Sequence, residues 1–340
     1  MVKSRILWPL LAMAVAMALL ATGCGGGGGG ETSPAESEPQ ATISPETLDL
    51  SRSIQLAAAQ SAEATSMRGD MAVGLHNVPE LDTLEMRWEM EWNINGDTVV
   101  SIDLSDLPGS GGDLVMETRD VDGIYYVPSW AMEGMYRATS PWVSFTNEEF
   151  EEWTGADLGP LEQMESNAAG MFNFLDGLTD VEYVGRETID DMATSHYRGT
   201  QSVAELLESS IVGTQEEKDA AVDSLMSLVG DVGGLDIGAM RFDYEVWIDS
   251  EDYVRRLNLY VDDLTSMFSD EARDELDDAA WKILSEATMS MESTYYDYGA
   301  AIEIEAPPAS EVTPFSELES RFLSTDEALE RLGVDDVDSL

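Results

Sequence analysis

The sequence predicts an α+β fold in which a meandering antiparallel sheet carries helices on one face. Three observations predict it: an eleven-residue run of faultless apolar/polar alternation, hairpin turn signals between short β-rich stretches, and helical segments opened by N-terminal caps. Strands joined by tight turns pair antiparallel, and helices gathered on one face of such a sheet make α+β rather than doubly wound architecture. No internal repeat accompanies them.

Ser44 as N-cap and Pro45 at the first helical position open a helix that runs through Leu48 and Ile54 to about Ala64. "LEMRWEMEWNI", residues 84–94, follows. It puts Leu84, Met86, Trp88, Met90, Trp92 and Ile94 on one face, and Glu85, Arg87, Glu89, Glu91 and Asn93 on the other. Period 2 over that length predicts a strand with one dry and one wet side. Asn95-Gly96 predicts a type I′ turn, after which "DTVVSIDL" returns with Val100, Ile102 and Leu104 on one side. A second hairpin turns at Asp122-Gly123, between "DLVMETR" and "IYYV". A third joins "FDYEVWID" to "YVRRLNLYV" through Ser250 to Asp252. "YYDYGAAIEIE" reads as the last strand, ending at about Glu305. Helices are expected over 161–175 and 270–290, after the capping boxes Ser202-x-x-Glu205 and Thr214-x-x-Glu217, and over 325–332, where Gly333 stops the pattern.

The N-terminus has its own chemistry. Lys3 and Arg5 precede the apolar run Ile6 to Leu20, and small residues Ala21, Thr22 and Gly23 precede Cys24, the only cysteine. This is the layout of a secretory signal. The run is shorter than the roughly 20 residues a spanning helix needs. A lone thiol builds no disulfide within the chain. Leu20-Ala21-Thr22-Gly23-Cys24 resembles the bacterial lipobox, which implies lipid attachment at Cys24 and a membrane held through it. The expected organisation is a signal peptide over 1–23, a disordered Gly/Ser/Pro/Glu tether over 24–44, one domain over 45–315, and an acidic tail over 316–340.

The 68 acidic residues face 17 basic ones, a net charge of −51. Nucleic acid and anionic headgroups are repelled by such a chain. The acids are spread along the sequence without metal-ligand spacing, as on a solvated surface suited to a salty medium. "DVDG" at 120–123 lacks the third acid and the later Glu of a calcium loop and reads as a hairpin turn. His76 and His196 are far apart, and no G-x-S-x-G, H-E-x-x-H or phosphate-cradling glycine loop is present. No enzyme, cofactor or metal is therefore expected. His196 reads as a strand residue with a backbone or carboxylate partner.

The apolar faces remain. Met86, Trp88, Met90, Trp92 and Ile102, with Tyr244, Val246 and Ile248, are candidate lining for a hydrophobic ligand. Phe242 belongs to the same stripe. Packing under the helices as plain core is the other reading of these residues. Methionine's adaptability argues for a surface that accepts varied apolar shapes, and a half-covered dry face leaves a groove.

The segments "VDGIYYVPSW" with "PWVSF", "VEYVGRETIDDMATSHYRGTQSVAELL", "VWIDSEDYVRRLNLYVD" and "YYDYGAAIEIEAPPASEV" follow one another along the chain. In that order they resemble the actinobacterial lipoproteins of the LppX/LprG type, whose fold is related to the carriers LolA and LolB. The resemblance implies a curved antiparallel half-barrel with helices packed on its concave face. It implies a cavity that in some members holds acylated lipids or glycolipids, and no catalysis. The expectation is a membrane-anchored extracytoplasmic lipoprotein that binds a hydrophobic ligand. The alternative is a structural or sensory lipoprotein with a filled core, acting through a protein partner.

Overall fold

The computed structural model describes residues 45–78, 82–105, 114–132, 136–149, 180–202, 241–268 and 278–320, with positions 172, 175, 178 and 273. The expected signal, tether, Cys24, the segments after the two capping boxes, the 325–332 helix and most of 161–175 lie outside the described residues.

Helix α1 (Pro45–Ala62) opens at the proline that favours a first helical position. Strands β1 (Ser66–Val78), β2 (Asp82–Asn93), β3 (Thr98–Asp103), β4 (Val115–Val121) and β5 (Ile124–Pro128) follow. The short β6 (Tyr136–Arg137), then β7 (Trp142–Phe145), β8 (Glu182–Ile189) and β9 (Met192–Ser202) come next. β10 (Arg241–Asp249), β11 (Val254–Val261), helix α2 (Asp278–Glu286), β12 (Thr288–Tyr296), β13 (Val312–Pro314) and β14 (Glu319–Ser320) complete the chain. Twelve strands form one open sheet in the order β13-β7-β5-β4-β3-β2-β1-β12-β11-β10-β9-β8, while β14 pairs with β6 separately. Every pairing within the large sheet is antiparallel except that of β13 with β7.

Twisted open sheets beyond about ten strands curl. Here the inward side chains of β1, β2, β10, β11 and β12 share one buried cluster with Ile54, Ala57 and Ala58 of α1 and Leu284 of α2. The sheet therefore curves round its helices, the expected half-barrel. Register fixes who meets whom: one inward row runs Met86, Val73, Met291, Leu259, Tyr244, Gly199 across β2, β1, β12, β11, β10 and β9. Gly199 ends that row for a steric reason. A methyl group there would collide with the phenol ring of Tyr244, which lies over the glycine from the neighbouring strand. Gly69 is covered likewise, with a would-be Cβ 3.2 Å from Cδ1 of Tyr295.

The Asp122-Gly123 hairpin is as expected, both residues taking positive φ (55° and 75°). The Asn95-Gly96 turn differs from a type I′ turn, because only Gly96 of the pair takes a positive φ. The side chain of Asn93 shapes the loop instead: its Oδ1 accepts from the backbone N–H groups of Asn95 (2.9 Å) and Asp97 (3.2 Å). Ile94 thereby leaves the strand and stands 69% exposed, off the apolar face on which its parity placed it. Buried Asp97 ties this loop to the next hairpin, accepting from Asn93 Nδ2 at 3.0 Å and from the Asp122 N–H at 3.1 Å.

Two expected elements are corrected. The 270–290 helix ends at Glu286, and Thr288–Tyr296 is β12, a central strand. Its period-2 inward set, Met289, Met291, Ser293 and Tyr295, overrides helical propensity once it is paired on both sides. The expected strand over "YYDYGAAIEIE" stops at Tyr296. Asp297 and Gly299 turn the chain with φ of 55° and 72°. Residues 300–308 then continue without strand pairing, Arg119 of β4 donating to the carbonyl of Glu305 at 2.6 Å, and the last strand of the large sheet is β13, paired parallel with β7.

Gly199→Ala drives a methyl into the fully buried Tyr244 ring and should cost about 1–3 kcal/mol in urea unfolding. Asp120, beside Asp97, is buried, and desolvation raises its carboxyl above the ordinary 3.8. Its stabilising contribution is whole below the unfolded value and lost as pH rises through the folded one. Asp120→Asn should therefore raise the thermal midpoint at neutral pH, with the two midpoints converging as pH falls below the unfolded value.

Candidate functional site

Alternation along β2 sends Leu84, Met86, Trp88, Met90 and Trp92 to the helix side, and all are buried. Tyr244, Val246 and Ile248 of β10 arrive on the same side, and Ile102 of β3 packs half-buried against the same cluster. The structure thus brings all eight predicted lining residues onto one face.

Sequence reasoning missed half of that face. Met67 and Met71 of β1 and Met289 and Met291 of β12 are buried between the predicted residues. Met67 faces Trp92, Met71 faces Trp88, and Val73 joins Met86 to Met291. Alternation in "SMRGDMAVGLHNV" was the available signal, with Gly69 and Gly74 interrupting its apolar count.

Burial raises the Tyr295 phenol to about 12 and the Tyr244 phenol well above its ordinary range, so both stay neutral. Phe172 packs edge-on against Tyr295 with ring centroids 5.0 Å apart. Among the described residues of this face, the Trp92 Nε1–H is buried and makes no hydrogen bond. A buried donor left unmade costs about 1–3 kcal/mol.

At the β10–β11 end, buried Arg255 is neutralised by Asp249, Nε to Oδ2 at 2.6 Å. Its guanidinium lies 5.6 Å from the Tyr253 ring centroid and 5.0 Å from that of Tyr298. Asp249 Oδ1 also accepts from the N–H groups of Glu251 (2.8 Å) and Tyr253 (3.0 Å), closing the predicted third hairpin.

The opposite face is polar. His196 is a strand residue with a carboxylate partner, as its sequence setting predicted: its Nδ1 lies 3.0 Å from Glu187. It stacks on Trp247 at 4.2 Å. Hydrogen bonds from Trp247 Nε1 (2.9 Å) and from His196 hold the Glu187 carboxyl below its usual range. Trp247 lies opposite the predicted Val246 and Ile248 stripe, and this stacking, with Arg256 at 5.8 Å, is what buries it. His76, bonded to Ser290 at 2.8 Å, belongs to β1, with three strands between it and β9, which carries His196.

Two hollows lined by described residues open on the polar side. One, of about 460 Å³, is lined by Asp180, Glu182, Arg198, Asp243, Glu245 and Tyr260 among others. The other, of about 340 Å³, lies among Arg68, Glu91, Val99, Arg119 and Ile304. Among the described residues, no group of three or more His, Cys, Asp or Glu is arranged to hold a metal ion. Nor is any described helix long and apolar enough to cross a membrane.

Neither a protein-family model nor a curated protein sequence matches the chain. Among solved structures it is similar to LprF from Mycobacterium bovis, with 13% identity and a TM-score of 0.40 over 76% of this chain and 97% of that one. It is similar to the Mycobacterium tuberculosis lipoprotein LppX, with 14% identity and a TM-score of 0.38 over 76% and 99%. A LolA superfamily protein from Nitrosomonas europaea gives 10% identity and a TM-score of 0.24 over 77% and 96%. These are the kinds of protein that the sequence segments resemble. With TM-scores this low, the residues of this chain carry the functional reading alone.

Asp249→Ala leaves Arg255 buried without its counter-charge and opens the hairpin loop. It should cost roughly 3–5 kcal/mol in denaturant unfolding.

Proposed function

We propose that the chain is a membrane-anchored extracytoplasmic lipoprotein that takes a lipid or other hydrophobic molecule between the apolar face of its sheet and the helices laid on it. The observation that carries this reading is the make-up of that face. Thioethers and indoles from β1, β2 and β12 adjoin one another over three neighbouring strands, backed by aliphatic residues of β10 and β11. Methionine's unbranched, polarizable side chain re-packs around varied apolar shapes. Ligand sites are lined mainly by apolar and aromatic groups with few polar ones. Cys24 behind its apolar leader supplies the anchor, since two acyl chains hold a protein stably where one does not. The stretch from Cys24 to residue 44 joins that anchor to the folded domain. The role is binding rather than turnover, and the acidic surface leaves the lipid anchor as the hold on the membrane.

The second reading, a filled core that acts through a protein partner, draws on a specific feature. The Tyr295 ring covers Gly69 with Phe172 edge-on against it, so this part of the interior is occupied by the protein's own rings.

Solvent extraction and native mass spectrometry of the protein purified from membranes should recover a bound lipid. Trp88→Ala should lower uptake of a fluorescent acyl ester by about tenfold, matching roughly 1.4 kcal/mol of lost apolar contact. A protein that emerges empty, with uptake indifferent to Trp88, supports the filled core instead.

A further inference from the structure

We infer that the ligand is an uncharged acylated molecule whose carbonyl oxygen accepts a hydrogen bond from the Trp92 indole N–H. This rests on the apolar ligand site proposed above and names the chemistry of one end of its occupant. The Trp92 nitrogen is buried, has no partner, and by strand parity belongs to the helix side of β2 with Met86, Trp88 and Met90. An indole N–H is a donor only, so its missing partner is an acceptor; a second donor does not serve.

Charge narrows the class further. The buried basic side chains among the described residues are Arg255, held by Asp249 at 2.6 Å, and His196, on the polar face with Glu187 at 3.0 Å. Neither is placed to neutralise a carboxylate beside Trp92. One neutral donor does not compensate an ionised group withdrawn from water. An ester or amide carbonyl needs only that one hydrogen bond. From Trp92 to Met86 the strand extends about 20 Å, apolar on its inner side throughout, a track for an acyl chain leading away from the carbonyl. Trp92 stands next to the strand's last residue, Asn93. The polar end of the ligand therefore lies at the Asn93–Asp97 loop, and its tail points toward Leu84.

The test uses the full-length chain loaded with the neutral fluorophore N-phenylnaphthylamine and displaced by methyl laurate, pentadecane or ionised laurate. Methyl laurate should displace it at about tenfold lower concentration than the hydrocarbon of matched length, as one hydrogen bond predicts, and laurate should be weaker than the ester. In Trp92→Phe the ester and the hydrocarbon should become equal, while thermal stability of the empty protein holds or rises because the unmade donor is gone. A readout that needs no variant is the Trp92 indole N–H resonance, which should move on addition of methyl laurate and stay fixed with pentadecane. Equal displacement by ester and hydrocarbon in the native chain, an ester preference that survives Trp92→Phe, or tighter binding of laurate each overturns the inference while leaving the apolar site standing. Failure of every compound to displace the fluorophore removes the apolar site itself, and this inference with it.

Discussion

The rest of the structure depends on the strict two-sidedness of β2, β1 and β12. Each alternates between side chains that water excludes and side chains that need water, and pairing holds the three in one register. A slip of one residue would carry the methionines and tryptophans into solvent and the acidic partners into the core. The helices have a place to lie because one side is predominantly apolar. The −51 charge is tolerable because the other side takes much of it. Curvature follows from the same asymmetry, since a long twisted sheet with one dry side closes round whatever covers it.

The polar side is organised more than a solvated surface requires. Arg68 bridges Glu91 and Asp297, each at 2.8 Å, and Arg198 holds Glu182 at 2.8 Å. Exposed pairs of this kind add little stability individually. In a chain with four acids for every base, they place scarce cations where outward-facing carboxylates on adjoining strands would otherwise confront one another. The His196–Trp247–Glu187 group does the same by stacking and hydrogen bonding, and in doing so withdraws a large indole from water on the side where parity would expose it.

The sheet was legible wherever one strand carried an unbroken pattern. β2, the Asp122-Gly123 turn and the β10–β11 hairpin are where periodicity and turn chemistry put them. All eight proposed lining residues share a face because the period of 2 is a geometric property of the strand. What could not be read depended on partners distant in sequence. Gly69 looks like an interruption of β1 until Tyr295 arrives over it from β12. β12 itself follows a helical stretch and alternates through serine and tyrosine as well as methionine, and only pairing with β1 and β11 settles it as a strand. The Asn95-Gly96 turn failed for a local reason of the same kind: the side chain of Asn93 competes for the loop's N–H groups and sets a wider bend.

The pairing of β1 with β12 also governs when the molecule can exist at all. Gly69 waits for a tyrosine more than two hundred residues downstream, and β13 reaches back from beyond residue 310 to the far margin of the sheet. A chain that emerges amino end first must keep its greasy first strands unsheathed until almost the whole polypeptide has appeared, since contacts of such long sequence separation form late. For that interval the nascent protein is an aggregation hazard, and its dense negative charge, which contributes nothing to the finished core, is what holds unfinished copies apart.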